Sequence, residues 1–268
     1  MLVLPNIAIT EQDLEDYEYE PHVYIKNDLE ESDAETRRRH CMKFVGKLSG
    51  YFENEVTQLI SELIQTLQQE YNQNKEGQWQ QMATVINLII TTSISCYTYQ
   101  HGATDVRIAN ELLESYITQL IVPELQIQQG ASIDNLAVLK STCIKFVYMF
   151  RNQIPDNFVP EFVSLFSEYL KSEQAVNQSY AAACIEKLLI RKSLANPKQS
   201  VINDTNLNAE MTQKLLQNIC ELLNNNQDLY AMRSLLRVVQ LSKMNIVPFA
   251  ETLGQVLSHF MREVVKDS

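Results

Sequence analysis

The sequence predicts an all-α solenoid of the HEAT or armadillo class, about five helix hairpins wound into a right-handed superhelix. Three observations carry this: few turn residues, apolar stripes at helical spacing, and a two-helix unit recurring about every 40–50 residues. Only 6 Gly and 7 Pro occur in 268 residues. That is too few for a sandwich or barrel, which turns about every ten residues. The 45% apolar content supports a packed core and excludes a disordered chain.

The chain reads as an acidic leading segment with short helices at 1–32, then a solenoid at 33–268. Its pairs fall at 33–72, 77–126, 134–171, 174–224 and 227–265. In the first pair Asp33 to Thr36 offer a helix start, and Val56, Leu59, Ile60, Leu63, Ile64, Leu67 and Tyr71 form the second helix's stripe. The second pair begins in a stretch from Glu76 to Asp105 with no formal charge between them. Asn87, Thr91, Thr92, Ser93, Ser95 and Thr98 interrupt it, so a buried helix is expected and not a membrane span. That helix is expected to run to 101, and longer connections are expected at 101–107 and at 193–208. Asp134 should start the third pair, and Pro155 suits the first turn of its second helix. There Leu139, Cys143, Phe146 and Phe150 are answered by Phe158, Phe162, Leu165, Phe166 and Leu170. The fourth and fifth pairs carry Leu215, Leu216, Ile219, Leu222 and Leu223, then Leu235, Leu236, Leu253, Val256 and Leu257.

Cysteine marks the repeats. Cys41-Met42-Lys43-Phe44-Val45 resembles Cys143-Ile144-Lys145-Phe146-Val147, Cys184-Ile185-Glu186-Lys187-Leu188 continues the pattern, and Cys96-Tyr97 falls late in the expected helix between them. Five cysteines without paired spacing fit a reduced protein and small buried side chains, not a metal centre. No phosphate loop, His-Glu-x-x-His, Cys-x-x-Cys or Gly-x-Ser-x-Gly occurs. His22, His40, His101 and His259 have no partner at motif spacing, and all read as surface or boundary residues. No catalytic, cofactor or metal residue is expected, and no enzyme.

Charge is sorted. Residues 1–35 hold 11 acids against Lys26, which accounts for most of the net −11. First helices of the pairs carry 14 Lys/Arg against 5 Asp/Glu, and second helices 14 Asp/Glu against 2 Lys/Arg. In such solenoids second helices line the concave face, so an acidic groove selecting basic partners is expected. Nucleic acid is an unsuitable partner for it.

Tyr24-Ile25-Lys26-Asn27-Asp28-Leu29-Glu30-Glu31-Ser32-Asp33-Ala34-Glu35-Thr36-Arg37-Arg38-Arg39 resembles a stretch of the exportin-2 (cellular apoptosis susceptibility) family of importin-β/karyopherin receptors. Gln69-Glu70-Tyr71, Lys145-Phe146-Val147-Tyr148-Met149-Phe150-Arg151-Asn152-Gln153-Ile154-Pro155 and Tyr180-Ala181-Ala182-Ala183 resemble the same family in the same order. Lys26-Asn27 stands where the family has a basic pair, and Glu31 where it has a turn Gly. The resemblance implies the central part of a monomeric nuclear export receptor that binds Ran-GTP and carries importin-α from nucleus to cytoplasm. No cofactor and no membrane insertion are expected. A generic HEAT-repeat scaffold without Ran linkage is the alternative.

Residues 11–39 are expected to be the principal recognition element, with Tyr17, Tyr19, Tyr24 and Ile25 as anchors. The expected partner-binding residues are Glu15, Asp16, Glu18, Asp28, Glu30, Asp33, Glu35, Arg37, Arg38 and Arg39. Glu111, Glu114 and Glu168 join them from the acidic second helices.

Overall fold

The computed structural model describes residues 3–29, 36–98, 100–203, 205–226 and 228–266. Contacts divide the chain into two compact units, Met1–Gln153 and Ile154–Ser268. The boundary falls inside the third expected pair.

The first unit opens with three short helices, α1 (Leu4–Ile7), α2 (Glu11–Tyr19) and α3 (Pro21–Asp28). Then come α4 (Arg37–Tyr51), α5 (Glu53–Gln73) and α6 (Trp79–Ser93). Thr36 starts α4 by accepting a hydrogen bond from the Arg39 amide at 3.2 Å. Helix α6 packs against both α4 and α5, and α9 (Ala137–Met149) packs on α6 in turn. Almost all of α6 is buried. Its hydroxyls tolerate this because Thr84, Thr91 and Thr92 donate to the carbonyls of Gln80, Asn87 and Leu88 one turn back, at 2.7–2.9 Å. Among the described residues no helix is long and apolar enough to cross a membrane.

The charge-free stretch departs from expectation. Helix α6 ends at Ser93, and β1 (Ile94–Thr98) pairs antiparallel with β2 (Gly102–Val106). The run of Thr, Ser, Ile, Cys and Tyr over 91–98 favours extended backbone over another two helical turns. Gly102, at φ +74°, makes the reversal, and a Cβ there would lie 2.7 Å from the Met149 carbonyl. The expectation of helix to residue 101 and of a longer connection at 101–107 is therefore corrected to a two-stranded hairpin. The pair's second member is also broken into α7 (Asn110–Tyr116), a π-helical turn (Ile117–Ile121) and α8 (Val122–Leu125), with Pro123 lacking the N–H that a regular helix would use there.

Two expected helix starts move. Helix α9 begins at Ala137 behind Leu136, which takes a left-handed conformation (φ 53°), and not at Asp134. In the second unit α10 (Phe158–Tyr169) begins three residues after Pro155, whose carbonyl accepts from the Phe158 amide at 3.1 Å. That unit continues with α11 (Ala175–Leu189), α12 (Ala209–Asn225), α13 (Leu229–Ser242), a 3₁₀ stretch holding Pro248, and α14 (Ala250–Lys266). Helix α11 packs on α10 and α13, and α12 on α10, α13 and α14. First helices thus neighbour first helices and second neighbour second, the two-layer order of a helix-pair solenoid. Phe158, Phe162 and Phe166 stack along α10 at 6.2 and 5.6 Å between rings. The fully buried Ala181-Ala182-Ala183 run lets α13 approach α11 closely enough for Ser234 to donate to the Ala182 carbonyl at 2.5 Å.

Candidate protein-binding surface

The leading segment is fastened to its own unit. Thr10 caps α2 by accepting from the Asp13 amide at 3.2 Å, and Asp13 returns by accepting from the Thr10 amide at 2.7 Å. Asp13 also pairs with Arg38 of α4, whose Nε donates to the Ile7 carbonyl at 3.2 Å. At the end of α3, Asp28 takes Lys145 Nζ of α9 at 2.5 Å and faces Arg38 Nη1 at 3.8 Å. The side chains of Asp28, Arg38 and Lys145 are 12%, 10% and 6% exposed. Tyr17 and Tyr24 meet edge-on at 5.3 Å, and burial first, then the Asp134 carboxylate, pushes the Tyr17 phenol well above its usual range.

This changes the reading of the aromatic residues. Tyr17, Tyr24 and Ile25 are buried within the protein and seat the segment on it, while Tyr19 alone of the four is exposed. Expecting all four as anchors for a partner is corrected, because three have no surface left to offer. Glu15, Glu18 and Arg37 are exposed; Asp16 is half-buried and accepts from Gln12 at 2.9 Å; Arg39 is half-buried. Glu30, Asp33 and Glu35 lie outside the described residues.

On the second helices, Glu111 and Glu114 project from α7, both exposed. Glu168 of α10 is already paired, with Lys214 at 2.8 Å and Lys171 at 3.0 Å. Burial pushes its carboxyl up, but hydrogen bonds from Lys214 and Lys171 and their charge bring it below its ordinary value. Asp156, ahead of α10, behaves alike: burial raises it, and Ser193, the Leu194 amide and Arg191 outweigh that. The charge sorting persists in the observed elements. Helices α4, α6, α9, α11 and α13 carry ten Lys/Arg and one acid, while the second members carry thirteen acids and three Lys/Arg.

Lys43, Lys47 and Lys145 enter the sequence reading through their layer's charge and, for Lys43 and Lys145, through the recurring cysteine motif and the family resemblance, but none is singled out there as a site residue. Yet Arg39, Lys43 and Lys47 recur every fourth residue and share one face of α4, a spacing that could have singled them out. The Thr10–Asp13 capping box was legible in the same way. The four histidines are exposed. Cys143, Cys184 and Cys220 are buried, but Cys96, expected inside a helix, is exposed on β1. Among the described residues no group of His, Cys, Asp and Glu is placed to hold a metal ion.

Helix pairs in two layers, with basic side chains sorted to one and acidic to the other, define an α-solenoid of the HEAT class. The Cse1 family model matches residues 1–185, and the chain belongs to the Cse1 family. It is 30% identical to Exportin-2 of Oreochromis niloticus over 271 residues, covering 99% of this chain and 27% of that protein. Exportin-2 of Dictyostelium discoideum is 30% identical over 269 residues, covering 100% and 27%. A solved structure of the exportin Cse1 in its cargo-free, cytoplasmic state superposes with a TM-score of 0.73 at 26% identity, over 89% of this chain and 24% of that one. The chain therefore spans about a quarter of the length of the relatives it matches.

Proposed function

We propose that this chain acts as a segment of a nuclear export receptor that binds Ran-GTP and carries importin-α from nucleus to cytoplasm, shuttling through the nuclear pore. The observation that carries the reading is similarity to the exportins along the whole chain and not over one repeat. Acidic second helices supply the physical counterpart, a surface that draws basic segments and speeds their encounter. Glu111 and Glu114 of α7 belong to that surface, and Glu15, Asp16 and Glu18 of α2 and Arg37 of α4 join them as exposed or half-buried residues that we assign to partner binding. Glu30, Asp33 and Glu35 join them on sequence alone. Asp28 and Arg38 serve this surface by holding the leading segment in place.

A chimera tests this. The matching quarter of the Dictyostelium Exportin-2 is replaced by this chain, and capture of importin-α is measured with Ran-GTP and with Ran-GDP, beside the parent. Capture that requires Ran-GTP is the expected result. Capture indifferent to the nucleotide would favour a scaffold without Ran linkage, and a folded chimera that captures nothing would overturn the proposal.

A further inference from the structure

The first unit holds a cavity of about 660 Å³ against α4, on the helix layer opposite in charge to the acidic one. Arg39, Lys43 and Lys47 line it along one face of α4, at successive turns. Arg107 closes one side, fixed in place by donating to the Ile94 carbonyl at 2.7 Å. Arg38 and Lys145 also border it, but Asp28 and Asp13 neutralise much of their charge. Met42, Ile90, Ile94 and Met149 supply an apolar part of the wall, beside the polar Asn27, Thr36, Thr91 and Ser95 and the ring of Tyr97. Lys43 and Lys47 are exposed and half-buried Arg107 lines the same cavity, so three cations border a hollow that is apolar in part.

We infer that this cavity is a second protein-docking site, which takes an acidic peptide of a partner through carboxylates at Lys43, Lys47 and Arg107 and one apolar side chain in the hollow. The inference goes beyond the export reading, since it concerns the basic layer and an acidic ligand. Charge complementarity selects the occupant. Lys43 and Lys47 are one helical turn apart, so carboxylates one or two residues apart in an extended peptide reach both. Arg107, already held by backbone carbonyls, loses little freedom on binding a carboxylate. A nucleic acid fits less well, because Tyr97 is the one aromatic side chain among the described lining residues, where successive bases would need successive stacking platforms.

The test uses the full 268-residue chain and a fluorescein-labelled peptide, Glu-Glu-Leu-Asp-Glu-Met-Glu-Glu, followed by fluorescence anisotropy. Controls are the same peptide with Gln for each acid, a version with Ser for Leu and Met, and single-stranded oligo-dT. Binding of the acidic peptide is expected, weakening as salt rises from about 50 to 300 mM. The double variant Lys43→Glu/Lys47→Glu should lose about tenfold in affinity with circular dichroism unchanged, because exposed rim charges carry the encounter and not the fold. Ile94→Ser should weaken the parent peptide but not the Ser version, which separates the hollow from general charge. Undiminished binding by the double variant, equal binding of the Ser version, or tighter binding of oligo-dT would each overturn the inference. Gain of binding only after Glu30, Glu31, Asp33 and Glu35 are changed to Gln would also overturn it, since the chain's own acids would then outcompete a partner. None of these outcomes depends on Ran or importin-α, so failure here and failure of the export reading are separable.

Discussion

Asp28 illustrates how one carboxylate can look like a recognition residue and act as a fastener. It lies among acids in the sequence, yet its side chain meets Lys145 Nζ at 2.5 Å and is 12% exposed. Removing it would strand a cation only 6% exposed and loosen Arg38, which also holds Asp13 and the Ile7 carbonyl. Taking one partner from a buried ion pair costs about 3–5 kcal/mol, because the other charge stays desolvated. Asp28→Ala should therefore lower unfolding stability by about 3 kcal/mol in denaturant titration. Glu15→Ala, on an exposed position, should change it by about 0.5 kcal/mol at most. Equal effects of the two would show that the pairing contributes nothing. Charge reversal at Asp28 thus reports on folding before it reports on any partner.

The β1–β2 hairpin is the element where local chemistry overrode the helical pattern. Hydroxyl and β-branched residues end α6, and a single glycine permits the return. Gly102 is constrained twice, by φ +74° and by the Met149 carbonyl 2.7 Å from where a Cβ would sit. Gln153 Nε2 then donates to the Ala103 carbonyl at 2.7 Å, and Asn152 to that of His101, so the hairpin is stitched to the end of α9. Gly102→Ala should cost about 2 kcal/mol through strain and displaced backbone. Hydrogen exchange should show the loss of protection concentrated over 94–106, with the helices of the second unit unaffected. Uniform loss throughout the chain would contradict a local role for this glycine.

For the whole molecule, the sorted charge is the property on which the proposed export reading leans most. Glu111 and Glu114 are exposed, whereas Glu168 is already paired with Lys171 and Lys214. Glu111→Gln/Glu114→Gln in the export-receptor chimera should slow association with a basic partner about two- to fivefold at low salt and leave dissociation nearly unchanged. Glu168→Gln should barely change the association rate. Stopped-flow association across a salt series separates these outcomes, and a slowing that persists at high salt would argue against steering.

Much of this architecture was legible along the chain because helix pairing needs only local information. A stripe recurring every three to four residues states which face must be buried, and repetition of the unit states that the neighbours bury it. Thr36, the buried Cys143 and Cys184, the Phe158–Phe166 ladder and the charge sorting follow from that pattern. What periodicity could not supply was the fate of individual polar side chains. Asp28 and Lys145 are 117 residues apart in the chain and 2.5 Å apart in space, and no spacing rule reaches across that interval. Tyr17 and Tyr24 likewise became internal supports only because α2 and α3 fold back on one another and lie within the unit. The sequence by itself determined that the chain forms apolar-striped helices in pairs and the sign of charge along each layer, but not where every helix begins and ends. Tertiary structure alone decided which charges are consumed in holding the leading segment and which remain at the surface, because ion pairing depends on distance in space and burial, and neither is written in local order.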